Sequence, residues 1–191
     1  MDHVLLIDLI NELGLERIYV SDDVEYVRIE TTDISRPGLQ MAGYYEKFVP
    51  ERVQVIGSAE WHFLRDMDES KRLDVLEKFI QYPIPVIIVT RGNEVFPELI
   101  ELSKKYNKTL LYSEKTTSKV IGELVSYLGL KLAPTTSIHG VLLEVFGVAV
   151  LLTGKSGIGK SETALDLITR GCRLISDDVV EIKRVEDTLR G

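Results

Sequence analysis

The spacing of apolar residues changes several times along this chain, and the changes divide it into elements. Val4 to Leu13 carries them at helical spacing and ends at Gly14, a residue suited to close a helix. Arg17 to Val20 and Val24 to Ile29 are short and rich in β-branched and aromatic residues. They read as strands, with Ser21-Asp22-Asp23 as the turn between them. Val53 to Gly57 reads as a strand, after which Ser58-Ala59-Glu60 opens a helix with Ser58 as its N-cap. Leu73, Leu76, Phe79 and Ile80 recur at helical spacing until Tyr82-Pro83 stops them. Val86-Ile87-Ile88-Val89 is continuous and β-branched, the composition of a parallel strand buried on both faces. Pro97 to Lys105 predicts a helix with proline in its first turn, Thr109 to Tyr112 a strand, and Thr116 to Leu128 an amphipathic helix.

Strand and helix alternate from Val53 to Leu128, which predicts an N-terminal parallel α/β domain. Leu130-Lys131-Leu132-Ala133-Pro134-Thr135-Thr136 reads as the connection to a second domain, giving the divisions 1–132 and 133–191. The second part opens with Thr136-Ser137-Ile138-His139-Gly140. Val141 to Phe146 and Val148 to Thr153, separated by Gly147, predict a hairpin. A helix from Glu162 to Arg170 follows, closed by Gly171 and expected to bury Ala164, Leu165, Leu167 and Ile168. A strand from Arg173 to Ser176 then leads into Asp177-Asp178.

Composition narrows the class. Hydrophobic residues make up 45% and charged residues 28% of 191, ordinary values for a soluble globular protein. No run approaches the apolar length of a membrane span, and the acidic start Met1-Asp2-His3-Val4 does not read as a signal peptide. A formal net charge of −7 argues against a broad nucleic-acid surface. The single cysteine, Cys172, excludes an internal disulfide and suits the cytoplasm. Cys172 itself reads as a small core residue opening a strand.

The strongest chemical signal is Gly154-Lys155-Ser156-Gly157-Ile158-Gly159-Lys160-Ser161, which fits the phosphate-loop pattern at every fixed position. A buried strand in front and a helix behind supply the context the pattern needs. Its glycines let backbone N–H groups turn inward around an anion at a helix N-terminus. Lys160 is expected to reach the β- and γ-phosphates and the Ser161 hydroxyl to hold Mg²⁺, while Lys155 adds positive charge. The strand-exit carboxylates Asp177 and Asp178 lie where ligands of open α/β sheets sit. One can approach Mg²⁺ or its water shell while the other takes a proton from an attacking hydroxyl. His139, one hairpin upstream of the loop, could supply a hydrogen bond or a proton.

The first domain offers less. Asp33, Ser35 and Arg36 flank the Pro37-Gly38 turn and read either as a binding loop or as a hydrogen-bonded structural turn, the second being the simpler. Trp61 and Phe63 read as packing residues, and His3 and His62 are isolated from other metal-ligating types.

These residues together resemble the bacterial HPr kinase/phosphorylase family. In the first half the resemblance rests on Thr32-Asp33-Ile34-Ser35-Arg36-Pro37-Gly38 with Met41-Ala42-Gly43-Tyr44, and on Pro85-Val86-Ile87-Ile88-Val89-Thr90-Arg91. In the second it rests on Thr136-Ser137-Ile138-His139-Gly140-Val141-Leu142, on Gly154 to Ser161 with Glu162-Thr163-Ala164-Leu165, and on Arg170-Gly171 through Ser176-Asp177-Asp178. The implied fold is an N-terminal parallel α/β domain followed by the start of a P-loop kinase domain, strand–loop–helix–strand.

The resemblance implies an enzyme that uses ATP or pyrophosphate, with Mg²⁺, to phosphorylate a serine of the phosphocarrier HPr. The same enzyme removes that phosphate with inorganic phosphate, releasing pyrophosphate, in carbon catabolite regulation. A hexamer is implied as well. By matching positions, Gly154 to Ser161 bind the nucleotide, Lys160 is catalytic, Ser161 coordinates Mg²⁺ and His139 is an active-site residue. Asp178 is the expected proton acceptor forward and donor in reverse, with Asp177 assisting. The family's later segments do not appear in this sequence: a motif with a Mg²⁺-binding Glu, a catalytic Arg and helices that grip HPr. The 191-residue chain by itself is therefore expected to lack kinase activity. A P-loop NTPase that activates water, and a non-catalytic nucleotide- or phosphate-sensing assembly module, are the competing classes.

Overall fold

The computed structural model describes residues 3–185 and 188–190. The chain forms two compact units, Met1–Leu132 and Ala133–Gly191.

The first unit runs β1 (Val4–Leu5), α1 (Leu6–Leu13), β2 (Glu16–Tyr19), β3 (Arg28–Ile29), β4 (Ile34–Ser35), α2 (Gly38–Met41) and β5 (Val53–Ile56). It continues with α3 (Ser58–Arg65), α4 (Glu69–Ile80), β6 (Val86–Val89), α5 (Pro97–Lys105), β7 (Thr109–Tyr112) and α6 (Thr117–Lys131). A five-stranded sheet has the order β2-β7-β6-β5-β4, parallel from β4 to β7 with β2 added antiparallel at the edge. The β-branched run of β6 is buried on both faces because helices cover both. Val86 and Ile88 face α1 and α6 through Leu6, Leu9, Val120 and Leu124. Ile87 and Val89 face the other layer through Leu76, Phe79, Leu99 and Leu102. Each such side chain gains roughly 1.5–3 kcal/mol of transfer free energy on burial.

Four local expectations need correction. Val4 and Leu5 are not helical but pair antiparallel with Ile29 and Arg28, so the helix starts at Leu6. The strand expected over Val24 to Ile29 shrinks to β3, and it pairs with β1 rather than with β2. Residues 23–27 make a helical turn instead, with Tyr26 and Val27 N–H both donating to the Asp23 carbonyl, which satisfies the backbone locally. Ser58 is the first helical residue of α3 rather than its cap. Gly57 stands at the cap, and the Glu60 carboxylate accepts its N–H at 3.0 Å. Phe63 is exposed, whereas Trp61 stacks on Phe96 at 5.6 Å and donates its indole N–H to the Glu94 carbonyl.

The turn around Pro37-Gly38 is tied down by ion pairs. Arg36 donates to Glu60 at 2.7 Å and Arg52 to Asp33 at 2.6 Å, while Ser35 lies in β4 opposite Gln54.

The second unit comprises β8 (Thr135–His139), β9 (Val141–Val145), β10 (Val148–Leu152), α7 (Lys160–Thr169), β11 (Arg173–Ser176), β12 (Val179–Val185) and β13 (Thr188–Arg190). The connection from the first unit is therefore shorter than expected, since α6 reaches Lys131 and β8 begins at Thr135. Two antiparallel sheets result, β10-β9-β11 and β13-β12-β8. The β9–β10 hairpin turns on Phe146 and Gly147, both at positive φ (52° and 82°), as a two-residue hairpin turn requires. Helix α7 buries only Ala164, with Leu167 half-buried against Val141 and Leu143. Leu165 and Ile168 are exposed, because α7 presents a single narrow stripe to β9. Cys172 is half-buried and precedes β11 rather than joining the core. Among the described residues no helix is long and apolar enough to cross a membrane.

Candidate phosphate-binding site

Strands β10 and β11 are each antiparallel to β9, so they run in the same direction with β9 between them. Their carboxyl ends therefore emerge on the same side of the sheet. β10 feeds the glycine-rich loop and β11 feeds Asp177-Asp178. The loop needs its glycines: Gly154, Gly157 and Gly159 have φ of 157°, 78° and 101°, a region that side chains oppose. Gly159 is the N-cap of α7, so the loop closes directly onto the positive end of a helix. Lys160 lies in the first turn, and its ammonium donates to the carbonyls of Gly154 at 2.9 Å and Lys155 at 3.1 Å.

The loop and the β11–β12 junction face a cleft of about 650 Å³. It is lined by Gly154, Ser156, Gly157, Gly159, Lys160 and Ser161 from the loop, and by His139, Asp177 and Asp178 opposite. Lys155 and Ile158 are the loop members that lie outside this lining. Gly140, Val141 and Glu162 also line it; they lie in stretches that carry the family resemblance, which assigns them no role of their own. Among the described residues no cluster of three or more His, Cys, Asp or Glu side chains could hold a metal ion alone.

Two pairings order the acidic side. His139 lies opposite Val179 in the β8–β12 register, which brings its Nδ1 to 3.3 Å from the Asp178 carbonyl and 3.8 Å from the Asp178 carboxylate. The Asp177 carboxylate turns back to accept the Asp178 N–H at 2.9 Å, closing the junction. The two neighbours thus differ: Asp177 caps its own turn, and Asp178, held at φ 75°, presents an exposed carboxylate beside His139.

The family model described as HPr Serine kinase N terminus matches residues 4–128, and that described as HPr Serine kinase C-terminal domain matches residues 130–191. The chain belongs to the HPr serine kinase family. An HPr kinase/phosphorylase of Clostridium perfringens (strain 13 / Type A) is 49% identical over 183 residues, covering 96% of this chain and 59% of that protein. That of Peptoclostridium acidaminophilum is 46% identical over 94% of this chain and 58% of its own length. For Caldanaerobacter subterraneus subsp. tengcongensis the figures are 46%, 100% and 63%. The chain thus spans about three-fifths of the length of these HPr kinase relatives. A crystal structure of the CBS and DRTGG domains of the regulatory region of Clostridium perfringens pyrophosphatase aligns over 63% of this chain at 18% identity, with a TM-score of 0.44.

Proposed function

We propose that this chain carries the phosphate-binding half of an HPr kinase/phosphorylase. In this reading the enzyme transfers the γ-phosphoryl group of ATP to a serine of HPr and removes it by phosphorolysis. The observation that carries the reading is the shared cleft, in which the glycine loop, His139 and Asp178 meet. Family membership favours it over a water-activating NTPase and over a non-catalytic sensor.

Each residue has a role set by its chemistry. Loop N–H groups from Gly154 to Ser161 would cradle the β- and γ-phosphates of ATP or pyrophosphate, and Lys160 would leave its carbonyl partners for phosphate oxygens. The Ser161 hydroxyl, with the Asp177 carboxylate across the cleft, supplies hard oxygen donors that suit Mg²⁺ or its water shell. Ser161 would hold the ion, which when bound neutralises charge on the phosphate oxygens. In the forward direction Asp178 takes the proton of the serine hydroxyl as its oxygen bonds to the γ-phosphorus and the bond to ADP breaks. In reverse, a phosphate oxygen attacks the phosphoserine phosphorus. The serine oxygen leaves with the proton from Asp178, and pyrophosphate forms. His139 donates a hydrogen bond at the edge of the cleft. HPr is the macromolecular partner, and a hexamer in the cytoplasm is the proposed setting.

The test uses a protein of the relatives' full length carrying this chain, incubated with HPr and Mg·ATP and then with phosphate. Phosphoserine that forms and then disappears with release of pyrophosphate is expected. ATP hydrolysis without phosphoserine would point to the NTPase, and nucleotide binding without turnover to the sensor.

A further inference from the structure

Two chain crossings meet in the second unit. At Gly140 the chain leaves the β13-β12-β8 sheet and enters the β10-β9-β11 sheet. At Asp177-Asp178 it crosses back. A backbone hydrogen bond stitches the crossings, from the Gly140 N–H to the Asp178 carbonyl at 3.1 Å, beside the His139 Nδ1 contact with the same carbonyl. On its other side Gly140 has no room. A Cβ added there would stand 2.5 Å from the Leu152 carbonyl oxygen and 3.1 Å from Leu151 Cδ1. Leu152 ends β10, two residues before Gly154.

We propose that Gly140 is a positioning residue for the phosphotransfer site: its bare Cα sets how the phosphate-loop strand and Asp178 approach one another. The proposal takes its site from the reading above, while its geometry is independent of that reading. The obstructing atom is strand backbone rather than the end of a flexible side chain, so a methyl group must displace either the end of β10 or the β8–β9 corner. That corner holds His139 on one side and Asp178 through the N–H. Moving it shifts the acid group against the loop while leaving the loop's own glycines in place. A displacement near 1 Å suffices to lower a positioned reaction about 100-fold.

The experiment compares the 191-residue chain with G140A and with G147A, a control that strains a hairpin turn where an added Cβ meets nothing within 4 Å. Pyrophosphate with Mg²⁺ is the probe. Calorimetry measures its affinity, backbone amide shifts follow Asp178, and the through-hydrogen-bond scalar coupling between Gly140 nitrogen and Asp178 carbonyl carbon reads the stitch. In the wild type the coupling is present and pyrophosphate shifts the Asp178 amide. G140A is expected to lose both the coupling and the response of the Asp178 amide to pyrophosphate. G147A is expected to lose stability but keep both. Retention of the coupling and the response in G140A overturns the proposal. If the wild type does not bind pyrophosphate, the functional reading falls, and the coupling alone, present in wild type and lost in G140A, still supports the positioning role. Should G140A fail to fold, a missing coupling or a rapidly exchanging Gly140 amide in the wild type overturns it, and a coupled, protected amide upholds it.

Discussion

The Lys160 ammonium lies 2.9 Å from the Gly154 carbonyl, at the opposite end of its own loop. The side chain spans the loop and donates to the carbonyl of Lys155 as well, so the cation is held against the loop backbone. Its partners are weak neutral acceptors on an exposed loop, which phosphate oxygens would outcompete through charge-assisted bonds.

Lys160→Met should therefore separate binding from folding. Loss of a charge-assisted hydrogen bond worth about 1.5–3 kcal/mol is expected to weaken ATP or pyrophosphate binding roughly 10- to 100-fold. Thermal stability should barely move, because the lost partners are solvent-facing carbonyls. Calorimetric titration checks the first point, and an unchanged Kd would refute the assignment of Lys160 to phosphate.

Asp178 requires a specific variant. Its φ of 75° makes alanine a poor probe, since the backbone itself opposes a nonpolar side chain there, whereas asparagine tolerates the conformation. Asp178→Asn keeps the backbone carbonyl that accepts from Gly140 and removes only the proton acceptor. In a protein of the relatives' full length, phosphotransfer to HPr should fall by about 10²- to 10⁴-fold with nucleotide affinity retained. Full transfer by this variant would move the base elsewhere in the cleft.

Parts of this architecture were legible because their causes are local. The run Val86 to Val89 announces a strand covered on both faces, and Pro97 to Lys105 starts and stops as its residues dictate. The phosphate loop is eight contiguous residues, so its pattern survives in one dimension. What escaped the sequence depends on partners far along the chain. The β1–β3 ribbon joins Val4 to Ile29. The capping group is Glu60 rather than Ser58, and the same carboxylate is paired with Arg36, 24 residues earlier in the chain. Helical periodicity in Leu165 and Ile168 looked like a wide buried face, but the stripe that β9 covers is narrower. Gly140 lies in the stretch Thr136 to Leu142, but its place there gives no hint of its role, since its contacts with Leu152 and Asp178 exist only after both sheets form.

Arg36 and Glu60 test the structural reading of the Pro37-Gly38 turn. The Glu60 side chain is 7% exposed and serves both Arg36 and the Gly57 N–H. Arg36→Ala leaves that buried carboxylate with a single donor, which is expected to cost roughly 1–3 kcal/mol. Arg36→Lys should recover part of the loss. Urea unfolding followed by the fluorescence of Trp61, the sole tryptophan, reports on this unit. An alanine variant as stable as wild type would free Arg36 for a binding role.

Tyr45 makes the stability of the first unit depend on alkaline pH. Its ring stacks on Tyr82 at 5.0 Å and meets Phe48 edge-on, and burial, with Tyr82 second, pushes its hydroxyl from an ordinary 10.0 up to about 12. Because the folded value lies above the unfolded one, the fold favours the neutral phenol. The stabilisation is complete below pH 10 and is lost as pH rises to about 12. The same hydroxyl is buried with no hydrogen-bond partner among the described residues, so it is a cost at neutral pH. Tyr45→Phe is therefore expected to unfold at equal or higher urea than wild type near neutrality, and to lose less stability than wild type as the pH climbs above 10. Phenolate absorbance, titrated alongside Trp61 fluorescence, follows both events. A Tyr45 that ionises at its ordinary value, with identical alkaline profiles for the two proteins, would contradict the burial argument.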